Sequence, residues 1–285
     1  MKKIIWAILL VSFVSLSGCH LQAKSVSHQV KEEKIERRDY QHSATPTLFF
    51  HGYSGTKGSF GSMLKRLETD AISNKEVVIT VSASGQLQQH GKLTNKAVNP
   101  TIQVLFEDNE NDQEHQARWI QSIMRYLAKE DGVKQVNVVG HSMGGVSMLE
   151  YLEHLYVLTE APTVQKVVFI GSPFNEFIDN FTNQTQAELL KEGPIKKSER
   201  YQEYLAHAAA LPKKSQFLVI SGQLSQTDLS DGRVPLSSSL AIVPLLQEQG
   251  IAVESKVATG SKAQHSELHE NLTVDSWVRD FLWKK

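Results

Sequence analysis

Cysteine is nearly absent from this chain: Cys19 is the only one among 285 residues. A single cysteine cannot form an intramolecular disulfide, which excludes a disulfide-stapled scaffold. An excess of charge is absent as well, because 30 basic side chains are matched by 31 acidic ones and leave a formal net charge of −1. Without a positive field over the whole chain, we do not expect binding to nucleic acid.

The apolar run at the amino terminus, Ile4 to Leu16, is short. A comfortable membrane span takes about 20 residues. Two lysines precede the run and small residues follow it, the order typical of a secretory leader. The sequence therefore predicts a signal peptide over residues 1–18, and a short uncleaved anchor helix is the alternative.

The end of this leader, Leu-Ser-Gly-Cys19, resembles the lipobox of bacterial lipoproteins. In that family the cysteine is acylated and becomes the first residue of the mature chain. The resemblance predicts lipid attachment at Cys19, and a spare reactive thiol is the alternative. We expect the protein at the cell membrane, anchored by lipid on the extracytoplasmic face.

Residues 19–44 are polar, mixed in charge and poor in apolar side chains. Such a segment buries too little apolar surface to fold alone, so we predict a solvated tether. Residues 45–285 are then the folded domain. A chain that is 40% hydrophobic and 21% charged has enough apolar residues for a core of this size.

Short runs of β-branched and aromatic residues recur along the domain, and each ends at glycine, serine or His-Gly. Such runs are typical of buried strands in a parallel sheet. They are Thr47–Phe50, Val77–Val81, Val136–Val139, Val167–Ile170 and Phe217–Ile220.

Apolar residues at helical spacing lie between and after these runs. They are Ala117, Ile120, Met124 and Leu127; Leu149, Leu152 and Leu155; and Val274, Trp277, Val278, Phe281 and Leu282. Alternation of strands and helices predicts an α/β fold, with a mostly parallel central sheet flanked by helices. Ligands bind such folds at the carboxyl ends of the strands.

Two segments interrupt the alternation. Residues 84–99 are polar and lead into the apolar run Thr101–Phe106, which predicts a hairpin that ends in another strand. Residues 172–214 form a long stretch after a strand end, which predicts a cap or lid over the site. Four of its apolar residues could line an acyl pocket or form the cap's own core: Phe174, Phe177, Ile178 and Phe181.

The stretch Gly-His-Ser142-Met-Gly matches the pattern G-x-S-x-G, which is a weak signal by itself. Here an apolar strand precedes it and a run of small residues that can start a helix follows. This is the context of a nucleophile elbow, where the serine occupies a strained turn and flanking glycines allow strand and helix to approach. We predict that Ser142 is a nucleophile rather than a structural turn residue.

A serine hydroxyl needs a base, and in this arrangement an acid and then a histidine follow the serine along the chain. Asp228 and Asp231 both follow the run Phe217–Ile220. Asp231 lies in Ser-Asp-Gly-Arg-Val-Pro, where the glycine permits a tight turn. We predict Asp231 as the acid that orients the histidine, and Asp228 as a turn or cap residue.

Two histidines, His265 and His269, follow the strand candidate Ile251–Ala258. His265 is nearer the carboxyl end of that strand, so we predict that it is the base and that His269 is an exposed or capping residue. The stretch HSELH lacks the glutamate that directly follows the first histidine in a zinc-protease helix. We therefore predict neither a metal nor a cofactor.

An oxyanion hole usually combines the backbone N–H after the nucleophile with one from the loop after an early strand. These donors would be Met143 and Tyr53, the latter in His51-Gly-Tyr-Ser-Gly. That loop is not a phosphate loop, since Gly-Lys-Ser/Thr is absent. His51 and His141 flank the site in sequence, and we predict structural roles for both.

The acidic run of residues 107–114 has the composition of a calcium loop. It lacks the turn glycine that such a loop needs. We predict a solvated loop whose charges also favour the start of the next helix.

Several of these motifs together resemble the α/β hydrolases of unknown function found as secreted or surface proteins of Gram-positive bacteria. The motifs are HGYSGT, VGHSMGG, SPFN, SDGRVP and AQHSELHEN with a terminal FLW, and they extend from about Thr47 to Trp283. The resemblance implies an α/β-hydrolase fold with Ser142, Asp231 and His265 as the triad, but it names no substrate. The usual early pair of antiparallel strands has little room before Thr47, which suggests a trimmed sheet.

We therefore expect a monomeric, lipid-anchored serine hydrolase of the cell envelope that cleaves carboxylic esters, as an esterase or lipase does. Its partners would be a small-molecule or lipid ester and, through Cys19, the membrane. Acyl transfer or amide hydrolysis with the same triad is one alternative. A binding protein that keeps the fold without turnover is another.

Overall fold

The computed structural model of the protein describes residues 39–285. The predicted signal peptide, Cys19 and the larger part of the predicted tether lie outside the described residues. Eight strands occur within the described range: β1 Thr47–Phe50, β2 Asn74–Val81, β3 Leu87–Gly91, β4 Pro100–Phe106, β5 Gln135–His141, β6 Thr163–Ile170, β7 Gln216–Gln223 and β8 Ala252–Thr259.

The α-helices of the same range are α1 Lys57–Thr69, α2 Gln113–Lys129, α3 Met143–Glu150, α4 Gln186–Glu192, α5 Glu199–His207, α6 Leu236–Ser239, α7 Ile242–Glu248 and α8 Leu272–Trp283. Polar caps start the longer ones. Thr56 and Ser59 form a capping box at the start of α1, and the Asp112 carboxylate accepts the His115 N–H at the start of α2. Each cap satisfies backbone donors that the first helical turn leaves free.

The eight strands of residues 39–285 form one sheet in the order β3-β2-β4-β1-β5-β6-β7-β8, in which only β3 runs antiparallel to its neighbour. This confirms the predicted fold, a mostly parallel sheet flanked by helices. The expectation of a trimmed sheet is wrong. The antiparallel edge comes from the hairpin of β2 and β3 after α1, and β4 then returns to pair with β1 on one side and β2 on the other.

Each face of the sheet is covered by helices and carries its own apolar core. Side chains alternate between the faces along a strand. Leu48 and Phe50 therefore pack with α2 and α3 on one face, whereas Phe49 packs with α1 and α8 on the other. With both faces covered, the carboxyl ends of the parallel strands remain as the edge where a site can form.

Residues 172–214 contain α4 and α5 and pack closely on the first of these cores. Phe174 is buried, with its ring 4.9 Å from Phe169 and 6.3 Å from Tyr204. Phe177, by contrast, is 64% exposed. Phe174, one of the four apolar residues considered for an acyl pocket, therefore belongs to the core on this face of the sheet. Ile178 and Phe181 are half-buried.

Of the predicted tether, residues 39–44 are described, and they lie along the domain. Tyr40 is buried, pairs with Lys284 and donates a hydrogen bond to Asp280 at 2.8 Å. Farther along, the Asn99 N–H donates to the Ser43 carbonyl just before β4 begins. The chain thus enters at the amino-terminal edge of the sheet, beside α8. None of the helices between residues 39 and 285 combines the length and apolar character that crossing a bilayer requires.

Candidate active site

Ser142 lies between the end of β5 and the start of α3, in a backbone conformation with φ 54° and ψ −125°. A positive φ is costly for a residue with a Cβ and persists only where the surroundings impose it. The Ser142 N–H donates to the Ile170 carbonyl at 2.8 Å, which fixes the turn to β6. Gly144 permits the close approach, because a Cβ there would overlap the carbonyl oxygens of Phe50 and His51.

Replacing Gly144 by alanine is expected to lower the free energy of unfolding by about 1–3 kcal/mol, because the added methyl group meets backbone atoms that cannot move away. Gly61 in α1 is the matched control, since a Cβ there meets nothing within 4 Å. Gly61→Ala should raise stability by about 0.5–1 kcal/mol through its effect on helix propensity. Urea unfolding of both variants measures the difference, and equal effects would contradict this account of the elbow.

Of the three residues predicted as a triad, His265 lies within hydrogen-bond distance of the other two. His265 Nε2 is 3.0 Å from Ser142 Oγ, and His265 Nδ1 is 2.7 Å from Asp231 Oδ2. Ser142 follows β5, Asp231 follows β7 and His265 follows β8. The carboxyl ends of these three strands share one edge of the sheet. Asp231 and His265 are 1% and 5% exposed, so their contact is shielded from water.

The Asp231 carboxylate is held by donors on both oxygens. Oδ1 accepts the backbone N–H groups of Arg233 at 3.0 Å and Val234 at 2.7 Å, while Oδ2 faces the His265 ring. The His265 N–H also donates to the Asp231 carbonyl at 2.8 Å. An ionised carboxylate in this setting holds the Nδ1–H tautomer, which leaves Nε2 free to accept the Ser142 proton.

Asp228, the other acidic candidate, is exposed on the surface. Its side chain accepts the Ser230 hydroxyl at 2.6 Å, and its carbonyl accepts the Ser225 N–H. These are the contacts of a turn residue.

Two further histidines pack behind His265. The His141 ring lies 4.7 Å from the His265 ring and 4.9 Å from the His269 ring, and its Nε2–H donates to the His265 carbonyl at 3.0 Å. Burial, together with the neighbouring histidines, holds the pKa of His141 well below its usual value. A neutral His141 braces the backbone of His265 and adds no positive charge beside its ring.

The prediction that His269 is exposed or capping is wrong, since it is only 9% exposed. The Phe60 ring lies 5.9 Å from it, and Arg66 donates to its carbonyl at 3.0 Å. Both residues belong to α1, about 200 positions earlier in the chain. Nothing in the local sequence around His269 indicates that α1 buries it.

The loop of residues 52–55 follows β1 and lies directly against Ser142. A Cβ at Gly52 would come within 2.7 Å of the Ser142 Cβ and 3.3 Å of its Oγ, so only glycine fits. No hydrogen bond within residues 39–285 uses the backbone N–H of Tyr53 or of Met143, the two predicted oxyanion donors. The Tyr53 side chain itself is 53% exposed.

His51 fixes the orientation of this loop. Its Nε2 accepts the Phe106 N–H at 3.0 Å, so the proton is on Nδ1, which donates to the Gly52 carbonyl at 2.8 Å. Burial lowers the pKa of His51 and favours this neutral form. His51 and His141 therefore both make the structural hydrogen bonds that the sequence predicts for them.

Across the described part of the chain, no three His, Cys, Asp or Glu side chains are arranged to hold a metal ion. In the stretch HSELH, His265 contacts Asp231, and His269 Nδ1 lies 3.3 Å from Glu270 Oε1. Sequence reasoning missed one set of residues at the site, Asn109 and Glu110, which contact the loop of residues 52–55.

A mostly parallel eight-stranded sheet with a serine elbow after a central strand defines an α/β hydrolase. The model of the family "Alpha/beta hydrolase of unknown function (DUF915)" matches residues 34–285, and the chain belongs to that family. No curated protein matches the sequence.

Two crystal structures illustrate the likeness. The product of the gene lin2722 from Listeria innocua is 29% identical in sequence, and the match covers 84% of this chain and 93% of that one with a TM-score of 0.77. A protein from Lactobacillus plantarum, described as a candidate cell surface hydrolase, is 22% identical. That match covers 84% of this chain and 91% of the other, with a TM-score of 0.68.

Proposed function

We propose that this protein is a serine hydrolase that cleaves carboxylic esters through an acyl-enzyme on Ser142. One observation carries the proposal: His265 lies between Ser142 Oγ at 3.0 Å and the buried Asp231 carboxylate at 2.7 Å. A histidine in this position can accept the hydroxyl proton as the oxygen attacks. The positive φ of Ser142 supports the proposal, because a strained turn is the conformation that exposes a nucleophile.

In the first half-reaction, His265 Nε2 takes the Ser142 proton while Oγ bonds to the ester carbonyl carbon. The carbonyl oxygen becomes an oxyanion, and the N–H groups of Tyr53 and Met143 stabilise its charge. The bond to the leaving alkoxide oxygen then breaks, and the imidazolium returns its proton to that oxygen. Asp231 stays ionised throughout and stabilises the imidazolium.

In the second half-reaction, His265 takes a proton from water as the water oxygen attacks the acyl carbon of the acyl-enzyme. Collapse of this second tetrahedral intermediate breaks the acyl bond to Ser142 Oγ, which recovers its proton from Nε2. A free acid leaves. Acyl transfer or amide hydrolysis would follow the same steps with another acceptor or leaving group.

The test combines a fluorophosphonate probe with p-nitrophenyl esters of increasing chain length and a matched p-nitroanilide. The probe should label Ser142, and Ser142→Ala should abolish labelling and lower turnover by about 10⁴-fold or more. Faster turnover of the ester than of the anilide supports an esterase, and the chain-length profile narrows the acyl group. A wild-type protein that is neither labelled nor active would instead support a binding protein on the hydrolase fold.

We also propose that the protein acts at the cell envelope, anchored by lipid at Cys19. The leader and the lipobox-like Leu-Ser-Gly-Cys19 support this location, as does the description of the Lactobacillus plantarum protein as a candidate cell surface hydrolase. Expression with labelled palmitate tests it. Label should enter the membrane fraction with the wild type and be lost in Cys19→Ala, and unlabelled wild-type protein would contradict the anchor.

A further inference from the structure

The acidic run between β4 and α2 has a structural partner that its composition does not suggest. Its residue Asn109 contacts the loop of residues 52–55, here named the oxyanion loop. We propose that Asn109 is a positioning residue that holds the oxyanion loop so that the Tyr53 N–H points at the reacting carbonyl oxygen. The inference rests on the proposed function and assigns a role to a segment that the mechanism does not otherwise use.

The inner half of the oxyanion loop is fixed from within. The Gly52 carbonyl accepts His51 Nδ1–H at 2.8 Å and the Gly55 N–H at 3.0 Å. In a trans peptide, the carbonyl and the following N–H point in opposite directions. Holding the Gly52 carbonyl on one side therefore turns the Tyr53 N–H to the other side, away from these two donors.

The outer half of the loop is held by the acidic segment. Ser54 is exposed and has φ 55°, a conformation that its own sequence does not favour. The Asn109 carbonyl accepts the Ser54 N–H at 2.8 Å, and Asn109 Nδ2–H donates to the Gly55 carbonyl at 2.8 Å. Glu110 adds a third bond by accepting the Ser54 hydroxyl at 3.1 Å.

Asn109 can hold the oxyanion loop in place, a role here called the clamp, because the segment that carries Asn109 is itself fixed at both ends. At one end, the Phe106 N–H donates to His51 Nε2, the same ring that holds Gly52. At the other end, the Asp112 carboxylate caps α2 through the His115 N–H at 2.8 Å. Since β1 and β4 are adjacent parallel strands, the two loops leave the same edge of the sheet side by side.

The position of the Tyr53 N–H affects the transition state more than the bound ester. A donor placed for the oxyanion interacts most strongly when negative charge develops, so losing one costs about 10²–10³-fold in kcat. Loosening the loop misplaces the donor without removing it. We therefore expect a smaller loss, confined to kcat.

The test uses Asn109→Asp and Asn109→Ala in the full chain. The aspartate is nearly isosteric, but it replaces the donor facing the Gly55 carbonyl with an acceptor. Both variants should lower kcat by about 10–100-fold with KM within about threefold of the wild type. A boronic acid, which forms a tetrahedral adduct with an active-site serine, should lose affinity by a similar factor.

Gln113→Glu is the charge control, since it adds one negative charge to the same acidic segment at the first turn of α2. It should leave kcat and KM unchanged. Unchanged kcat in both Asn109 variants, or equal losses in Gln113→Glu, would overturn the clamp.

Hydrogen exchange separates the clamp from the proposed function. In Asn109→Asp, the hydrogen-bonded amides of Ser54 and Gly55 should exchange at least about tenfold faster, while the core strand β5 stays protected. This readout needs no turnover. Inactivity of the wild type would therefore count against the hydrolase, while the exchange result still decides whether Asn109 holds the oxyanion loop. Unchanged exchange at Ser54 and Gly55 would overturn the proposal.

Discussion

Replacing His265 by alanine is expected to lower kcat for ester hydrolysis by about 10⁴-fold or more, because no other base in the described part of the chain bonds to Ser142 Oγ and could take its proton. His269→Ala is the matched control, since its buried ring packs on His141, which also packs on His265, but it contacts Glu270 instead of Ser142. That variant should keep kcat within about tenfold. It should lose stability by about 1–3 kcal/mol, the cost of emptying a buried position.

Steady-state kinetics and urea unfolding of the two variants give both numbers. The comparison is sharp because the sequence offers both histidines in one short stretch, four residues apart. If His269→Ala lost as much activity as His265→Ala while remaining folded, the assignment of the base would be wrong. If both variants lost only a little kcat, and by the same factor, the general-base mechanism would be wrong.

Asp231→Asn is expected to lower kcat by about 10³–10⁴-fold with little change in fold. An asparagine can still accept the N–H groups of Arg233 and Val234 through its oxygen, so the turn survives. Its amide N–H would then face Nδ1 of His265 and favour the tautomer with the proton on Nε2. That tautomer cannot accept the Ser142 proton.

Asp228→Asn is the control for this variant, because its contacts are confined to a surface turn. It should leave kcat unchanged. The rate of fluorophosphonate labelling should fall with kcat in Asp231→Asn, since both reactions require an activated serine. A fast-labelling Asp231→Asn variant would show that the carboxylate does not orient the histidine.

The sequence predicts much of the site because each candidate residue follows a recognisable strand. Parallel strands end at a common edge, so residues that follow β5, β7 and β8 must lie near one another. The apolar runs locate these strands to within a few residues, as with the predicted Val136–Val139 inside β5. The amino-acid pattern is therefore sufficient to expect three side chains that are distant in sequence to lie in one place.

What the sequence does not reveal is which elements become neighbours. Hydrophobic patterns identify β2 as a strand but cannot say that β4 will pair between it and β1. The burial of His269 depends on Phe60 and Arg66 of α1, a helix that is not among those predicted from the apolar spacing. The bond from Asn109 Nδ2 to the Gly55 carbonyl joins residues 54 positions apart, and nothing in the local sequence indicates this contact.

The two ends of the described chain emerge side by side. Tyr40 pairs with Lys284, and the Gln41 N–H donates to the Trp283 carbonyl at 2.7 Å. Strand β5 runs seven residues from that edge to the serine elbow, about 20 Å. A fusion partner or bead attached at Lys285 would therefore leave the domain next to Tyr40. Attachment at either end of the described residues would present the same face of the domain to its surroundings.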